Sequence, residues 1–157
     1  MDALPSWPPG TAAVLCVTGP HAIPVSTAIR AGDRRVLLAL GGRRETLRRL
    51  SEEDPAAALC VMAEGLAFTA EGRARVVKEG VEAAPALAVV EIAVDEVVDH
   101  LADGRTSMDA AAAWHWLDAK AAASDPEILA ELEALAREPR AEPPAQPATR
   151  PLRPGAP

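Results

Sequence analysis

The chain has 157 residues, of which 49% are hydrophobic, so it can bury one substantial core but is too short for two ordinary domains. Its formal net charge of −7 and isoelectric point near 5.0 argue against general nucleic-acid binding, which depends on many basic residues. No apolar run approaches the roughly 18 residues that a membrane-spanning helix needs, and the first residues do not resemble a signal peptide. We therefore expect a cytoplasmic protein that binds neither nucleic acid nor membrane.

The first element predicted along the chain is a β-hairpin. Residues 1–10 are rich in proline and predict a flexible N-terminal arm. Residues 12–18 form an apolar run typical of a buried strand, Gly19-Pro20 turns the chain, and a second strand is predicted from His21 to Arg30. One face of this second strand carries only small residues, namely Ala22, Pro24, Ser26 and Ala28. Such a low face suits either a planar ligand or a neighbouring sheet or helix.

An arginine-rich turn follows the third predicted strand, which covers residues 35–40. The segment from Gly41 to Glu53 predicts a turn and a short helix, and Asp54-Pro55 predicts its end. Seven of the fourteen arginines lie between Arg30 and Arg49. Free amides at a helix N-terminus, a glycine pair and adjacent guanidinium groups are together typical of a phosphate site. The alternative interpretation is a solvated basic face beside a hairpin.

Three further strands are predicted near residues 59–63, 66–76 and 87–94. Apolar runs mark the first and last of them, and alternation of apolar with polar residues marks the middle one. Six short strands at these spacings predict a mainly β fold with some α structure. We expect a six-stranded antiparallel barrel over residues 11–98.

The sequence changes character after Val98. Thr106 and Asp109 are spaced as a capping box ahead of an alanine-rich helix that carries Trp114 and Trp116, and Ser124-Asp125-Pro126-Glu127 predicts the start of a second helix. Residues 99–137 are therefore expected to be a helical C-terminal extension with two helices. Residues 138–157 hold seven of the fifteen prolines and predict a disordered tail.

The sequence contains no recognisable catalytic or metal-binding motif. Cys16 and Cys60 lie in separate apolar runs and are typical of small core residues, and the three histidines lack triad or metal-ligand spacing. His21 could donate to a ligand or lie at the surface. The catalytic residues are thus unknown and no metal site is expected. A phosphate-bearing cofactor would have to supply the reactive atom.

Several motifs carry a resemblance to a known family. They are the first-strand run Val14–Val17, the motif His21-Ala22-Ile23-Pro24-Val25, the strand Arg35–Leu40, the segment Thr46–Leu50, and Asp54-Pro55. In this order they resemble the FMN-binding split barrels of the pyridoxamine 5'-phosphate oxidase-like superfamily, over roughly residues 11–98. The resemblance implies a homodimer that binds FMN or a deazaflavin coenzyme between its subunits.

The same resemblance implies positions for the cofactor. By position, the ring would lie against Pro24, Val25, Ser26 and Thr27. The phosphate would meet Arg43, Arg44, Thr46 and Arg48, with Arg75 as a further candidate. The substrate-binding residues that pyridoxamine phosphate oxidases carry near their C-terminus have no counterpart here, so vitamin synthesis is not expected.

The function predicted from these points is that of a flavin-dependent oxidoreductase that uses FMN or a deazaflavin and acts on an unknown small molecule. A first alternative is a non-catalytic module that binds or sequesters flavin. A second alternative is a cofactor-free domain whose alanine-rich helices bind a protein partner.

Overall fold

A computed structural model of the protein describes residues 1–19, 21–52, 55–112 and 114–139. Within these ranges the secondary structure comprises seven strands and two helices. In chain order they are β1 (Ala13–Val17), β2 (His21–Val25), β3 (Ile29–Gly32), β4 (Arg35–Gly41), α1 (Glu45–Glu52), β5 (Ala56–Ala63), β6 (Leu66–Val81), β7 (Ala84–Asp99) and α2 (Ala119–Arg137). The prediction of a mainly β, antiparallel fold is confirmed.

The seven described strands form one sheet in the order β2-β1-β5-β6-β7-β4-β3, and every neighbouring pair is antiparallel. Strands β2 and β3 are consecutive in the chain, yet they lie at opposite edges of the sheet with only residues 26–28 between them. An extended chain advances at most about 3.6 Å per residue, so the two edges lie within about 14 Å of each other. The sheet is therefore curled into an open barrel, and residues 26–28 cross its gap.

The predicted number of six strands is wrong. The segment expected as one strand, His21 to Arg30, is two strands on opposite edges, separated by the crossing. The alternation of Ile23, Val25, Thr27 and Ile29 does not keep to one face through the crossing, because Ile23 and Val25 pack in the core inside the barrel whereas Ile29 belongs to the cluster beneath α2 on the outer face. All residues from Val25 to Ile29 are buried. Local alternation therefore predicted neither the change of face nor the change of edge.

Strands β6 and β7 form one hairpin of 16 residues on each side, longer than the strands predicted at 66–76 and 87–94. Its pairing shifts register at three places, between Glu71 and Gly72, Val76 and Lys78, and Glu79 and Val81. Such bulges bend and twist a hairpin. Because of these bends, the hairpin forms part of the barrel wall along β4 and β5, and its tip lies at the edge of the barrel.

The sheet is buried on both faces at β4. Val36, Leu38 and Leu40 belong to the main core inside the barrel, which also contains Leu15, Leu59, Phe68 and Ile92. The intervening Leu37 and Ala39 lie on the outer face, where α2 covers them with Ile128 and Leu132. This burial on both faces explains why β4 is a continuous apolar run.

The N-terminal segment is not the flexible arm that its prolines predict. Leu4 and Trp7 are 3% and 9% exposed and belong to the main core. The Trp7 indole packs 5.4 Å from the Phe68 ring and donates a hydrogen bond to the carbonyl of Ala28 at 3.0 Å. Two isolated apolar anchors thus fix a segment whose composition alone is typical of a loose arm.

The C-terminal extension also differs from its prediction. It contains a single described helix, α2, which begins at the N-cap Asp118, and Trp114 and Trp116 lie before it in irregular structure. Pro126 lies inside α2, where the sequence predicts the start of a second helix. Packing of Ile128 and Leu132 on the sheet stabilises the helix across the proline and overrides the local signal. No helix of the described part is long and apolar enough to cross a membrane. Residues 140–157, most of the predicted tail, lie outside the described residues.

Candidate functional site

A cavity of about 510 Å³ lies beside the gap of the barrel. We call it the crossing cavity. Four parts of the chain line it: residues 24–27 at the crossing, the end of β4 with the turn that follows, the tip of the β6–β7 hairpin, and the C-terminal extension. Its principal side chains are Pro24, Val25, Ser26, Thr27, Leu40, Arg44, Pro85, Leu87, Trp114, Trp116, Asp118, Lys120, Ser124, Asp125 and Ile128.

The crossing wall is held rigidly by hydrogen bonds to β4. The Thr27 hydroxyl donates to the carbonyl of Ala39 at 3.0 Å and accepts from the Ala39 amide at 3.1 Å. Ser26 and Thr27 are only 7% and 8% exposed. The hydroxyl of Thr27 is therefore structural, while its neighbours Val25 and Ser26 present a low surface to the cavity.

The turn after β4 places Arg44 at the cavity. The Gly42 amide donates to the carbonyl of Ala86 at 2.8 Å, which ties this turn to the tip of the β6–β7 hairpin. The Arg44 side chain passes over Gly41, where an added Cβ would lie 3.3 Å from Arg44 Cγ. Glycine at position 41 thus leaves room for the side chain. Arg44 also precedes the first residue of α1, and its carbonyl accepts the Arg48 amide at 3.3 Å.

The C-terminal extension forms a further wall of the cavity, which the sequence pattern did not predict. Trp114 and Trp116 pack edge to face with ring centroids 6.1 Å apart, and they remain 43% and 41% exposed. The carboxylate of Asp118 is used in capping α2, because its Oδ1 accepts the Ala121 amide at 2.7 Å. Asp125 differs, since its Oδ1 is buried and has no hydrogen-bond partner.

The structure brings together five of the eight residues predicted for the cofactor. Pro24, Val25, Ser26, Thr27 and Arg44 all line the crossing cavity.

The other three predicted residues do not line this cavity. Arg43 is exposed. Thr46 is 1% exposed, and its hydroxyl is hydrogen-bonded to His21 Nε2 at 2.8 Å. Arg48 pairs with Glu45 at 2.6 Å. Helical periodicity accounts for Thr46, because it shares a face with the buried Leu50 four residues later.

Glu45 neutralises part of the arginine cluster. Hydrogen bonds from Arg48 and then from Arg49 lower the pKa of Glu45 from 4.5 to about 2. The carboxylate therefore stays ionised at neutral pH and holds both guanidinium groups along α1. Four guanidinium groups and one carboxylate remain between Arg43 and Arg49, a net of three positive charges.

Arg75, the further phosphate candidate, lies away from the cavity and pairs with Glu91 at 3.0 Å. Glu91 is 1% exposed and also accepts from Arg35 at 2.6 Å. The pairing of Arg35 and Arg75 with the buried Glu91 accounts for this cluster on the outer face of the sheet. The described residues contain no group of three or more side chains placed to bind a metal ion.

No protein-family model and no curated protein matches this sequence. Among solved structures, the protein is similar to HupZ from Group A Streptococcus at 12% identity, over 66% of this chain and 90% of that chain, with a TM-score of 0.48. It is also similar to a candidate pyridoxamine 5'-phosphate oxidase from Listeria innocua at 15% identity, over 57% of this chain and 88% of that chain, with a TM-score of 0.45.

Proposed function

We propose that this protein is a flavin-binding split barrel, which holds FMN or a deazaflavin coenzyme in the crossing cavity and acts as an oxidoreductase on a small molecule. The observation that carries the proposal is the meeting of Pro24–Thr27 with Arg44 around one cavity. These residues come from two separate motifs of the sequence, one expected to meet a ring and the other a phosphate.

The cavity suits a ligand with a planar ring. Its volume of about 510 Å³ lies within the roughly 300–1,000 Å³ of small-molecule sites, which are mostly apolar with a few polar groups. Val25, Leu40 and Leu87 supply apolar surface, and Ser26 supplies a hydroxyl. The wall formed by residues 24–27 carries no large side chain, so a ring can lie flat against it.

The cavity also suits a phosphate at one end. Arg44 lines the cavity directly before the first turn of α1, whose first amides have no partner within the helix. The helix dipole and the net positive charge of the segment from Arg43 to Arg49 both favour an anion there. A guanidinium group and free amides together are a recurrent phosphate site.

A flavin supplies hydride or electron transfer, and the protein supplies binding, orientation and exclusion of water. In this cavity Arg44 would fix the charged end of the cofactor, and the crossing wall would fix the plane of its ring. Trp114 and Trp116 would shield the ring from solvent on the side of the C-terminal extension.

We also propose that the protein is a homodimer. The outer face of β2, β1 and β5 carries no charged residue and is half-buried or exposed. Its members are Val14, Cys16, Ala22, Pro24, Ala58, Cys60 and Met62. Pro24 belongs both to this face and to the crossing cavity. A second copy seated on the face would therefore reach the proposed cofactor. Light scattering of the purified protein tests this, and a monomer mass that does not change with concentration contradicts it.

The flavin proposal is tested by titrating the apoprotein with FMN and with riboflavin, which lacks the phosphate. In Arg44→Gln the affinity for FMN should fall about tenfold to a hundredfold, since a charge-assisted hydrogen bond contributes about 1.5–3 kcal/mol. The affinity for riboflavin should change by less than about threefold on the same reasoning. Arg43→Gln is the matched control, because it removes the same charge from a neighbouring residue outside the cavity.

Equal losses for FMN and riboflavin in Arg44→Gln would place the phosphate elsewhere. Failure of the unmodified protein to bind either flavin would contradict the proposal as a whole. Anaerobic reduction of the flavin-loaded protein, followed by addition of acceptors, separates an oxidoreductase from a protein that only sequesters flavin.

A further inference from the structure

The carboxylate of Asp125 is the one unexplained polar group of the crossing cavity within the described residues. Its Oδ1 is buried without a hydrogen-bond partner, and the residue lines the cavity from α2. Buried polar atoms are nearly always paired, so such an atom calls for an explanation. The next residue, Pro126, has no amide hydrogen to offer.

We propose that Asp125, Trp114 and Trp116 form a subsite that binds a cationic nitrogen of the substrate. A protonated amine or a guanidinium group in the cavity would donate a hydrogen bond to the Asp125 carboxylate, which lines the cavity. The same cation would gain from the faces of the two indole rings, which attract positive charge. All three residues line the same cavity.

Once a phosphate is bound, the charge of the cavity favours a cation over a neutral or anionic group. Its lining contains two cationic residues, Arg44 and Lys120, and two anionic residues, Asp118 and Asp125. The lining is therefore neutral in total until a phosphate binds near Arg44. With a phosphate in place the cavity becomes negative, and a cation at Asp125 offsets part of that charge. Assigning this subsite to the substrate rests on the proposed function, whereas the cation site itself does not require flavin.

Lys120 is the competing cation, because it faces the same cavity one turn before Ser124 and Asp125. It makes no ion pair within the described part of the chain. Its charge opposes a bound cation, and Lys120→Ala should therefore strengthen cation binding. A change in the opposite direction contradicts the electrostatic argument.

The test uses benzylamine as a cationic probe and benzyl alcohol as its neutral analogue. Binding to the full-length protein is followed by tryptophan fluorescence and by calorimetry, without flavin. Benzylamine should bind at least about tenfold more tightly than benzyl alcohol, the ratio expected of one charge-assisted hydrogen bond. In Asp125→Asn this preference should disappear, because the amide is neutral and has nearly the same shape.

Glu127→Gln is the matched control, since it removes an exposed carboxylate of α2 that does not line the cavity. It should keep the preference for the amine. Trp114→Leu should weaken both probes, and it gives an independent test in case Asp125→Asn alters the fold. Equal binding of the two probes by the unmodified protein would overturn the proposal, as would equal behaviour of Asp125→Asn and Glu127→Gln.

A separate titration with FMN distinguishes the two proposals. Amine binding that depends on Asp125 without any flavin binding would support the cation site and refute the flavin function. Flavin binding with no preference for the amine would support the flavin function and refute the cation site.

Discussion

Replacing Leu132 by alanine should destabilise the protein and weaken its ligand site together. Leu132 is fully buried between α2 and the outer face of the sheet, where it packs with Leu37 and Val89. Removing its three outer carbons costs about 2.4 kcal/mol in transfer free energy, at about 0.8 kcal/mol for each carbon. The cavity left behind raises the expected loss to about 3–5 kcal/mol.

The same substitution should reach the crossing cavity through α2. Ile128 and Asp125 lie one and two turns before Leu132 on that helix, and both line the cavity. A helix that is less firmly docked will hold this wall less firmly. We therefore expect weaker binding of FMN as well as a lower free energy of unfolding, and faster hydrogen exchange of the α2 amides.

Urea unfolding followed by circular dichroism measures the loss of stability. Leu117→Ala is the matched control, because it makes the same chemical change at a side chain that is 92% exposed. It should alter stability by less than about 0.5 kcal/mol. A loss below about 1 kcal/mol in Leu132→Ala, with unchanged exchange in α2, would refute the inference that docking of this helix holds the cavity wall.

Three further outcomes follow from particular contacts. Gly72→Ala should reach the upper end of ordinary overpacking costs, about 3 kcal/mol, because the added Cβ would overlap the backbone carbonyl of Ala93. Gly65→Ala has open space but a φ of +67°, so by the same urea assay it should cost only the roughly 1–2 kcal/mol of a left-handed alanine. Glu91→Gln should cost about 2–4 kcal/mol by thermal or urea unfolding, because it removes the buried partner of Arg35 and Arg75, and a loss no larger than that of an exposed glutamate contradicts this. The pKa of Glu45 is lowered from 4.5 to about 2 by its pairing with Arg48 and Arg49. This pairing should therefore stabilise the folded protein above about pH 4.5, and the stabilisation should be lost as the pH falls from about 4.5 towards 2. An NMR titration of Glu45 with a midpoint near 4.5 would contradict the pairing.

The strands were predictable where local pattern and burial agree. Strand β4 is buried on both faces and β1 on its inner face. Both strands therefore appear in the sequence as apolar runs. The crossing at residues 26–28 was not predictable, because strand order depends on contacts between distant segments. Local alternation contains no information about which edge a strand joins.

The residues of the candidate site likewise fall into those that the sequence predicted and those that it did not. Pro24–Thr27 and Arg44, which line one cavity, were predicted from motifs that lie close together in sequence. Thr46 lies outside the cavity because it shares a buried helical face with Leu50, a spacing that the sequence contains. Trp114, Trp116 and Asp125 were missed because they reach the cavity only through the docking of α2, which depends on Ile128 and Leu132 meeting the outer face of β4.

The two ends of the cavity therefore have different origins in the chain. The end proposed for the phosphate is built from the barrel and its arginine turn, which are the parts that resemble the flavin-binding family. The end proposed for the cation is built from residues 114–128, outside the region of that resemblance. A cofactor site can stay fixed on a rigid sheet while a docked extension changes the partner that meets it. On this reasoning Asp125 would set the preference for an amine, and Asp125→Asn should remove that preference without lowering the affinity for FMN.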